Sequence, residues 1–359
     1  SIVLRDSTNV NIAYLELVGG SNPSNDDSYA YGLVENAVIW TAEQIQVGAP
    51  IGQIPGHHLG SFQVDGSSDI TVNQELVLNE ESILAIGNGS VITATNVTIN
   101  GSMQSATPYT GIDNRLVLTD GQLRVNGGQL VVSDGDLIIE PQLTGDATVQ
   151  LVNGASANLN TVRLESATSS TTAVLDVLSA SSITTGAMDI GQVNNGTLNM
   201  YGGGSAAVGG TLKIWDEGTV NLISGTLQAA TLDATTGGSA FSFTGGTLQV
   251  DTFLGDLHNV GGTVAPGNSP GISHVVGDYE QQLNGAIEIE LASDGGVAGI
   301  DHDQIAVDGV AILNGTLTVQ LLDGFIPTPG DAFEIMTFAS RTGEFLNVDG
   351  VGLVDPETA

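Results

Sequence analysis

The sequence predicts an all-β fold, a parallel β-helix (a solenoid of stacked coils) that finishes in a β-rich C-terminal cap. Three observations point there. Short apolar bursts such as ELVLN, RLVLT, QLVVS and DLIIE alternate with glycine-centred corners. The corners recur at fixed intervals: Gly121, Gly128 and Gly135 stand 7 apart, and the Gly-Thr-Leu phrases at Gly225 and Gly246 stand 21 apart, a spacing that suits one turn of a three-sided solenoid. Long runs of helix formers are nearly absent between them. Short strands joined by two-residue turns would repeat at the same interval, so an antiparallel meander is the competing arrangement. The small residues crowding the corners favour the solenoid.

Residues 1–65 read as a non-repetitive N-terminal segment. It holds Tyr14, Tyr29, Tyr31, Trp40 and Phe62, and a polar run from Gly19 to Asp27. Its stretch from Glu35 to Gln46 is the best helix candidate in the chain, although the apolar positions match neither a helical nor a strand period cleanly. Residues 66–273 are the predicted β-helix. Asn-Gly and Asp-Gly steps begin at Asn88, Asn100, Asp120, Asn126, Asp134, Asn153 and Asn195; these residues tolerate positive φ, which strand corners require. Gly-Thr-Leu or Gly-Thr-Val recurs at Gly196, Gly210, Gly218, Gly225, Gly246 and Gly262. About nine coils, each rising about 4.8 Å, would make a rod roughly 45 Å long.

Residues 274–359 carry longer strands. Ala286–Leu291 alternates strictly, with Ile287, Ile289 and Leu291 on one face and Glu288 and Glu290 on the other. Aromatics return at Tyr279, Phe325, Phe333, Phe338 and Phe345. A terminal sheet that closes a solenoid and shields its unpaired edge would have this character.

Composition limits the partners. Of 359 residues, 40 are acidic and 6 basic, a formal net charge of -34. Nucleic-acid binding needs clustered Lys and Arg to release counterions, and anionic lipid repels such a chain; both partners are excluded. The 41% hydrophobic content separates the sequence from disordered acidic tails. No apolar run approaches the length of a membrane helix, so membrane insertion of this chain is not expected. The opening SIVLRDSTNV lacks the layout of a signal peptide, as expected of a processed chain or a fragment. Without cysteine there are no disulfides, zinc-thiolate sites or thiol nucleophiles, which argues for a fold stabilised by other means; a long hydrogen-bonded β-stack would serve.

The run from Gly261 to Gly271, GGTVAPGNSPG, resembles the junction in bacterial surface and secreted proteins with autotransporter-associated β-strand repeats. There it precedes a block like Tyr279-Glu280-Gln281, then GAIEIEL, DHDQIAVDGVAILNGTLTVQLLDGF and GDAFEIMTF, the order found here. The resemblance is specific from about Gly245 to Phe345 and generic over the preceding coils. It implies a right-handed parallel β-helix exported to the cell surface or the medium. It implies no single activity, since such passengers include adhesins, proteases and polymers. An autotransporter also carries a C-terminal membrane β-barrel, whose alternating aromatic-girdled strands are not found here. The chain therefore corresponds to a passenger freed of its barrel or to secreted relatives that never had one.

Two acidic groupings are candidate calcium sites. Asp301 and Asp303 flank His302 after a glycine-containing loop, and carboxylates two apart can bind Ca²⁺ together with backbone oxygens. Asp120, Asp134 and Asp136 sit near equivalent corners of successive 7-residue units and can form a stripe that divalent cations bridge. Against each stands a plain reading as solvated loop residues. Enzymatic roles find little support. The 6 basic residues are scattered, which is unsuited to polyuronate cleavage, and no Gly-x-Ser-x-Gly elbow marks a serine nucleophile. A glycoside hydrolase needs only a carboxylate pair, and the 40 acids leave that alternative open. The expectation is a non-enzymatic extracellular structural protein: a surface-layer, fibre or filament component, with calcium as its one candidate cofactor. It assembles with copies of itself, or with other surface proteins or glycans, through aromatic-richer ends at Tyr29, Tyr31 and Trp40 and at Phe325, Phe333 and Phe338. The alternative is an adhesin or a glycan-binding or glycan-hydrolysing β-helix.

Overall fold

The structure, a computed structural model, describes residues 2–4, 9–17, 27–34, 39–47, 57–64, 69–78, 83–86, 91–99, 115–118, 121–126, 129–132, 136–141, 146–236, 240–267 and 269–350. Among them every paired strand lies parallel to its neighbour, and there is no helix. The molecule is a parallel β-helix. The antiparallel meander is thereby excluded.

One coil shows why these residues form it. Ala147–Val152 makes the first side, and the longer strand Ser156–Leu164 makes the second and third. Inward positions alternate at Ala157 and Leu159, then slip by one to Val162 and Leu164. That slip at Asn160–Thr161 turns the strand through a corner without breaking it. The next coil, Ala173–Leu178 and Ser182–Ile190, lies on it in register, Ala147 on Ala173 and Ser156 on Ser182. Upstream, the 7-residue units resolve as Gly121–Asn126, Gln129–Val132 and Asp136–Ile139, the three sides of one coil. Thr226 pairs with Thr247, so the 21-residue spacing of their preceding glycines is one full turn.

The segment read as a helix, Glu35–Gln46, is corrected by the structure: Ile39–Val47 is a strand, paired on one side with Asn9–Leu17 and on the other with Asp69–Leu78. Its buried residues are Ala42, then Ile45 and Val47. The alternation slips at a corner, which is why neither period fitted. Parallel pairing also runs across residues 65 and 273, where the texture of the sequence changes.

The core is a bundle of columns. Val149, Leu175, Leu198 and Val220 stack in one; Leu151, Val177, Met200, Leu222 and Phe243 stack in the next. On the second side Ala157, Ile183, Ala206, Leu227, Leu248, Val264, Ile287 and Leu317 continue coil upon coil. Each large aliphatic side chain so buried contributes about 1.5–3 kcal/mol, which is how a chain with few rings builds a core. In the C-terminal region, Phe325, Phe333 and Phe345 are half-buried against this core. No helix among the described residues is long and apolar enough to cross a membrane.

The Leu151–Phe243 column turns polar at its C-terminal end. Phe243 is followed by Asn259 and then Gln281, both fully buried. Burying an amide is costly unless its groups are bonded, and here they are. Asn259 donates from Nδ2 to the carbonyls of Gly262 (3.0 Å) and Ala286 (3.1 Å) and accepts from the Gly262 N–H (2.9 Å). Gln281 donates to the Asn314 carbonyl (2.6 Å) and accepts from the Tyr279 hydroxyl (2.8 Å). Burial drives the Tyr279 pKa upward, so the phenol stays a donor. The Tyr279-Glu280-Gln281 block thus has a physical reading: two inward groups that plug the core, and an outward Glu280 that meets His258 Nδ1 at 3.0 Å.

Candidate functional site

On the outer surface, equivalent positions in successive coils lie side by side, so any outward residue type becomes a column. On the first side the column is Arg124, Gln150, Asp176, Asn199 and Asn221. Arg124 donates to Gln150 Oε1 (2.9 and 2.8 Å), and Gln150 Nε2 to Asp176 Oδ2 (2.8 Å). Asn199 donates to Asp176 Oδ1 (2.9 Å) and Asn221 to Asn199 Oδ1 (2.8 Å). Every link is a side-chain hydrogen bond between adjacent coils. Asp176 is its keystone, 6% exposed and gripped from both neighbours. Replacing Asp176 by alanine should cost about 2 kcal/mol, from two charge-assisted bonds at partly solvated positions. The urea midpoint measures it, and D176N, which keeps the shape but loses one acceptor, should cost about half as much.

A second column alternates in sign on the third side: Arg163, Asp189, Lys213, Asp233. Lys213 Nζ lies 2.5 Å from Asp233 Oδ2, and 4.5 Å over the ring of Trp215, whose Nε1 donates to Asp189 (2.9 Å). Burial pushes the Asp233 carboxyl up, but bonds from Lys213 and Thr235 outweigh it and hold its pKa below the usual range. Arg163 faces Glu165 at 3.6 Å. Burial raises the pKa of Glu165; Arg163 opposes the shift, while Glu140 and Asp189 add to it. Arg124, Arg163 and Lys213 are therefore each engaged with neighbouring acids and amides.

The sequence-predicted acids are distributed differently. Asp301 binds the Ser293 hydroxyl and accepts from the Val297 N–H (2.8 Å), and these bonds hold its pKa low. Asp303 points elsewhere: it is 2% exposed, with Oδ1 accepting from the Gly271 N–H (2.6 Å) and Oδ2 from the Glu290 N–H (2.8 Å). Burial pushes its pKa up to about 6 despite those donors. Between them His302 is buried edge-to-face on Phe333, ring centroids 5.6 Å apart, its Nε2 at 3.3 Å from the Glu334 carbonyl and its Nδ1 without a partner among the described residues. Asp136 faces outward, paired in register with Arg115 and accepting from Asn160 at 3.4 Å. Asp120 and Asp134 lie outside the described residues. Among the described residues no three His, Asp or Glu side chains converge as a metal site.

The aromatic positions also separate. Tyr29 pairs with Leu59 and Tyr31 with Ser61, while Trp40 sits between Val10 and Ile70 of the adjoining coils; their side chains are outside the described part. Phe325 and Phe333 pack edge-to-face on one another, 6.1 Å apart, against the core. Phe338 is exposed, as are Leu346 and Val348 beside the last coil. Sequence reasoning missed Asn259, Gln281 and Asp176, because an amide or carboxylate inside a β-burst carries no mark of which neighbour in the next coil will bind it. In comparisons with known proteins the chain matches no family model, no curated protein and no solved structure. Fold and surface define a stacked-coil parallel β-helix protein with ordered polar columns.

Proposed function

We propose that this protein is an extracellular structural component, a rod that assembles with copies of itself through its end regions, with divalent cations such as calcium bridging the acidic surfaces. The observation that carries the reading is the continuity of the parallel ladder, from Asn9–Leu17 through to Asn347–Gly350. A stack of this kind supplies stiffness and repeated outward columns. Among the described residues nothing pairs with the far edge of Ser340–Gly343 and Asn347–Gly350, and Phe338, Leu346 and Val348 are exposed there. A strand edge with apolar neighbours is a template for another edge, and joining unlike ends is a heterologous contact that propagates as an open filament. The net charge of -34 opposes such contacts until cations screen it. The resemblance to exported proteins with autotransporter-associated repeats supports the extracellular setting.

Electron microscopy of the purified chain with calcium and again with chelator tests the proposal. The expected result is ordered filaments with calcium that disperse on chelation, and that fail to form in the L346D/V348D variant. Single rods in both conditions would sink the self-assembly reading.

A further inference from the structure

We propose that the corner between the second and third sides binds a neutral polysaccharide chain laid along the helix axis, a function that does not depend on self-assembly. A groove of about 290 Å³ runs there across four coils, over Ser182–Ile190, Ser205–Ile214, Thr226–Asp233 and Thr247–Leu254. At the turn its lining is small, Gly209 and Ala230, and directly beside it the coils close up. A Cβ on Gly186 would stand 2.9 Å from the Asn160 carbonyl oxygen, and one on Gly210 would stand 2.7 Å from that of Gly186. Ala230 holds the equivalent corner one coil on.

One wall is the column Thr184, Ala207, Gln228, Gln249, one residue per coil and in register. Gln228 and Gln249 are direct neighbours, yet among the described residues neither amide makes a side-chain hydrogen bond. The contrast lies on the first side, where Gln150, Asn199 and Asn221 are all bonded from coil to coil. Among the described residues, Gln228 and Gln249 instead face the groove with no side-chain bond to one another. The groove stops where the strand itself does. After Thr247–Leu254 the corner is replaced by residues 265–267 and 269–271, with Gly267 lining the groove beside Asp251. The described residues of the phrase singled out in the sequence, GGTVAPGNSPG, form that end, held by the bond from Gly271 to Asp303.

The lining chooses the ligand. It contains no Lys, Arg or His and one carboxylate, Asp251, so uronates, sulfated glycans and phosphates are repelled. An extended peptide lying along the axis would find no free backbone edge, since the strands' N–H and C=O groups already pair in that direction. Amides, a hydroxyl and a carboxylate are the partners that sugar hydroxyls take. The coil rise of about 4.8 Å is close to the length of one pyranose unit in an extended chain, so Gln228 and Gln249 can address successive sugars.

The test is calorimetric titration with cellohexaose, xylohexaose, mannohexaose and laminarihexaose, with hexagalacturonate as the anionic control. At least one neutral hexamer is expected to bind. Q228A and Q249A should each weaken it about fivefold to tenfold, and A230R, which fills the corner from outside, should abolish it at an unchanged thermal midpoint. The inference is overturned if no neutral hexamer binds, if hexagalacturonate binds as well, or if binding survives A230R or is indifferent to both glutamine variants. Because the filament assay reads the ends of the rod and this one reads its side, failure of either leaves the other standing.

Discussion

Replacing Gly262 by alanine is expected to destabilise the protein by about 3 kcal/mol, near the upper end of the cost of overpacking a core. A methyl group there would stand 1.9 Å from Cε2 and 2.4 Å from Cζ of Phe243. Neither partner can retreat. Phe243 is fully buried and stacked on Phe241 at 5.8 Å. Gly262 is fixed by Asn259 through both its N–H and its carbonyl, and that carbonyl also accepts from the Ala286 N–H at 2.8 Å. Urea unfolding of G262A, F243L and the double variant separates the causes. F243L alone should cost about 1–2 kcal/mol. In the double variant most of the alanine penalty should disappear, as a coupling of about 2 kcal/mol between the two sites. If the two losses simply add, the steric account is wrong.

The second large effect is a pH dependence centred on Asp303. Its folded pKa is raised to about 6 by burial, against about 3.9 in an unfolded chain. The folded state therefore holds this proton more tightly. The resulting stabilisation is complete below about pH 4 and is lost as the pH rises through about 6; a shift of about two units is worth up to about 3 kcal/mol. The other acids titrate too, and Asp301, held low by Ser293 and Val297, works in the opposite sense. The informative quantity is the stability difference between the native protein and D303N. That difference should be largest near pH 4 and shrink by about 2–3 kcal/mol by pH 7.5. A difference that stays flat over this range would refute the linkage. At every pH D303N should remain the less stable protein, because its amide can accept only one of the N–H groups of Gly271 and Glu290 that now converge on the two carboxylate oxygens.

The fold was legible because a coil is a local object. The Gly225–Gly246 spacing is one turn, and the strict alternation of Ala286–Leu291 is reproduced by the burial of Ile287, Ile289 and Leu291. Misreading began where the alternation slips. Ile39–Val47 hides its strand character because a corner inside it moves the inward positions by one, which leaves a pattern that resembles a helix as much as a strand. The surface chemistry was less legible still. Gln228 and Gln150 look alike in sequence, each two places after an outward threonine (Thr226, Thr148) and one place before an inward residue (Ala229, Leu151). What distinguishes them is the partner in the adjoining coil, 21 and 26 residues away respectively, and the corner that one of them borders. Asp301 and Asp303 looked like a pair because they are two apart, but Asp301 closes a local loop while Asp303 reaches back to Gly271.

Because the strands run across the rod, their backbone hydrogen bonds run along it, and this sets how the molecule carries load. Under axial tension the bonds between two coils share the force, while successive interfaces bear it in series, so the rod parts first at its sparsest interface. Among the described residues that interface is the junction after Thr247–Leu254. There the long strand is followed by two short ones, Thr263–Val264 and Ile272–Val276, and on the first side Phe243 meets Asn259 as the paired position among the described residues. The buried Ser273 hydroxyl spans the junction, donating to the Val250 carbonyl at 2.6 Å where rungs are missing. Pulled from its ends in an optical trap, the protein should yield in two mechanical blocks divided at this fuse, and S273A should lower the force of the first rupture.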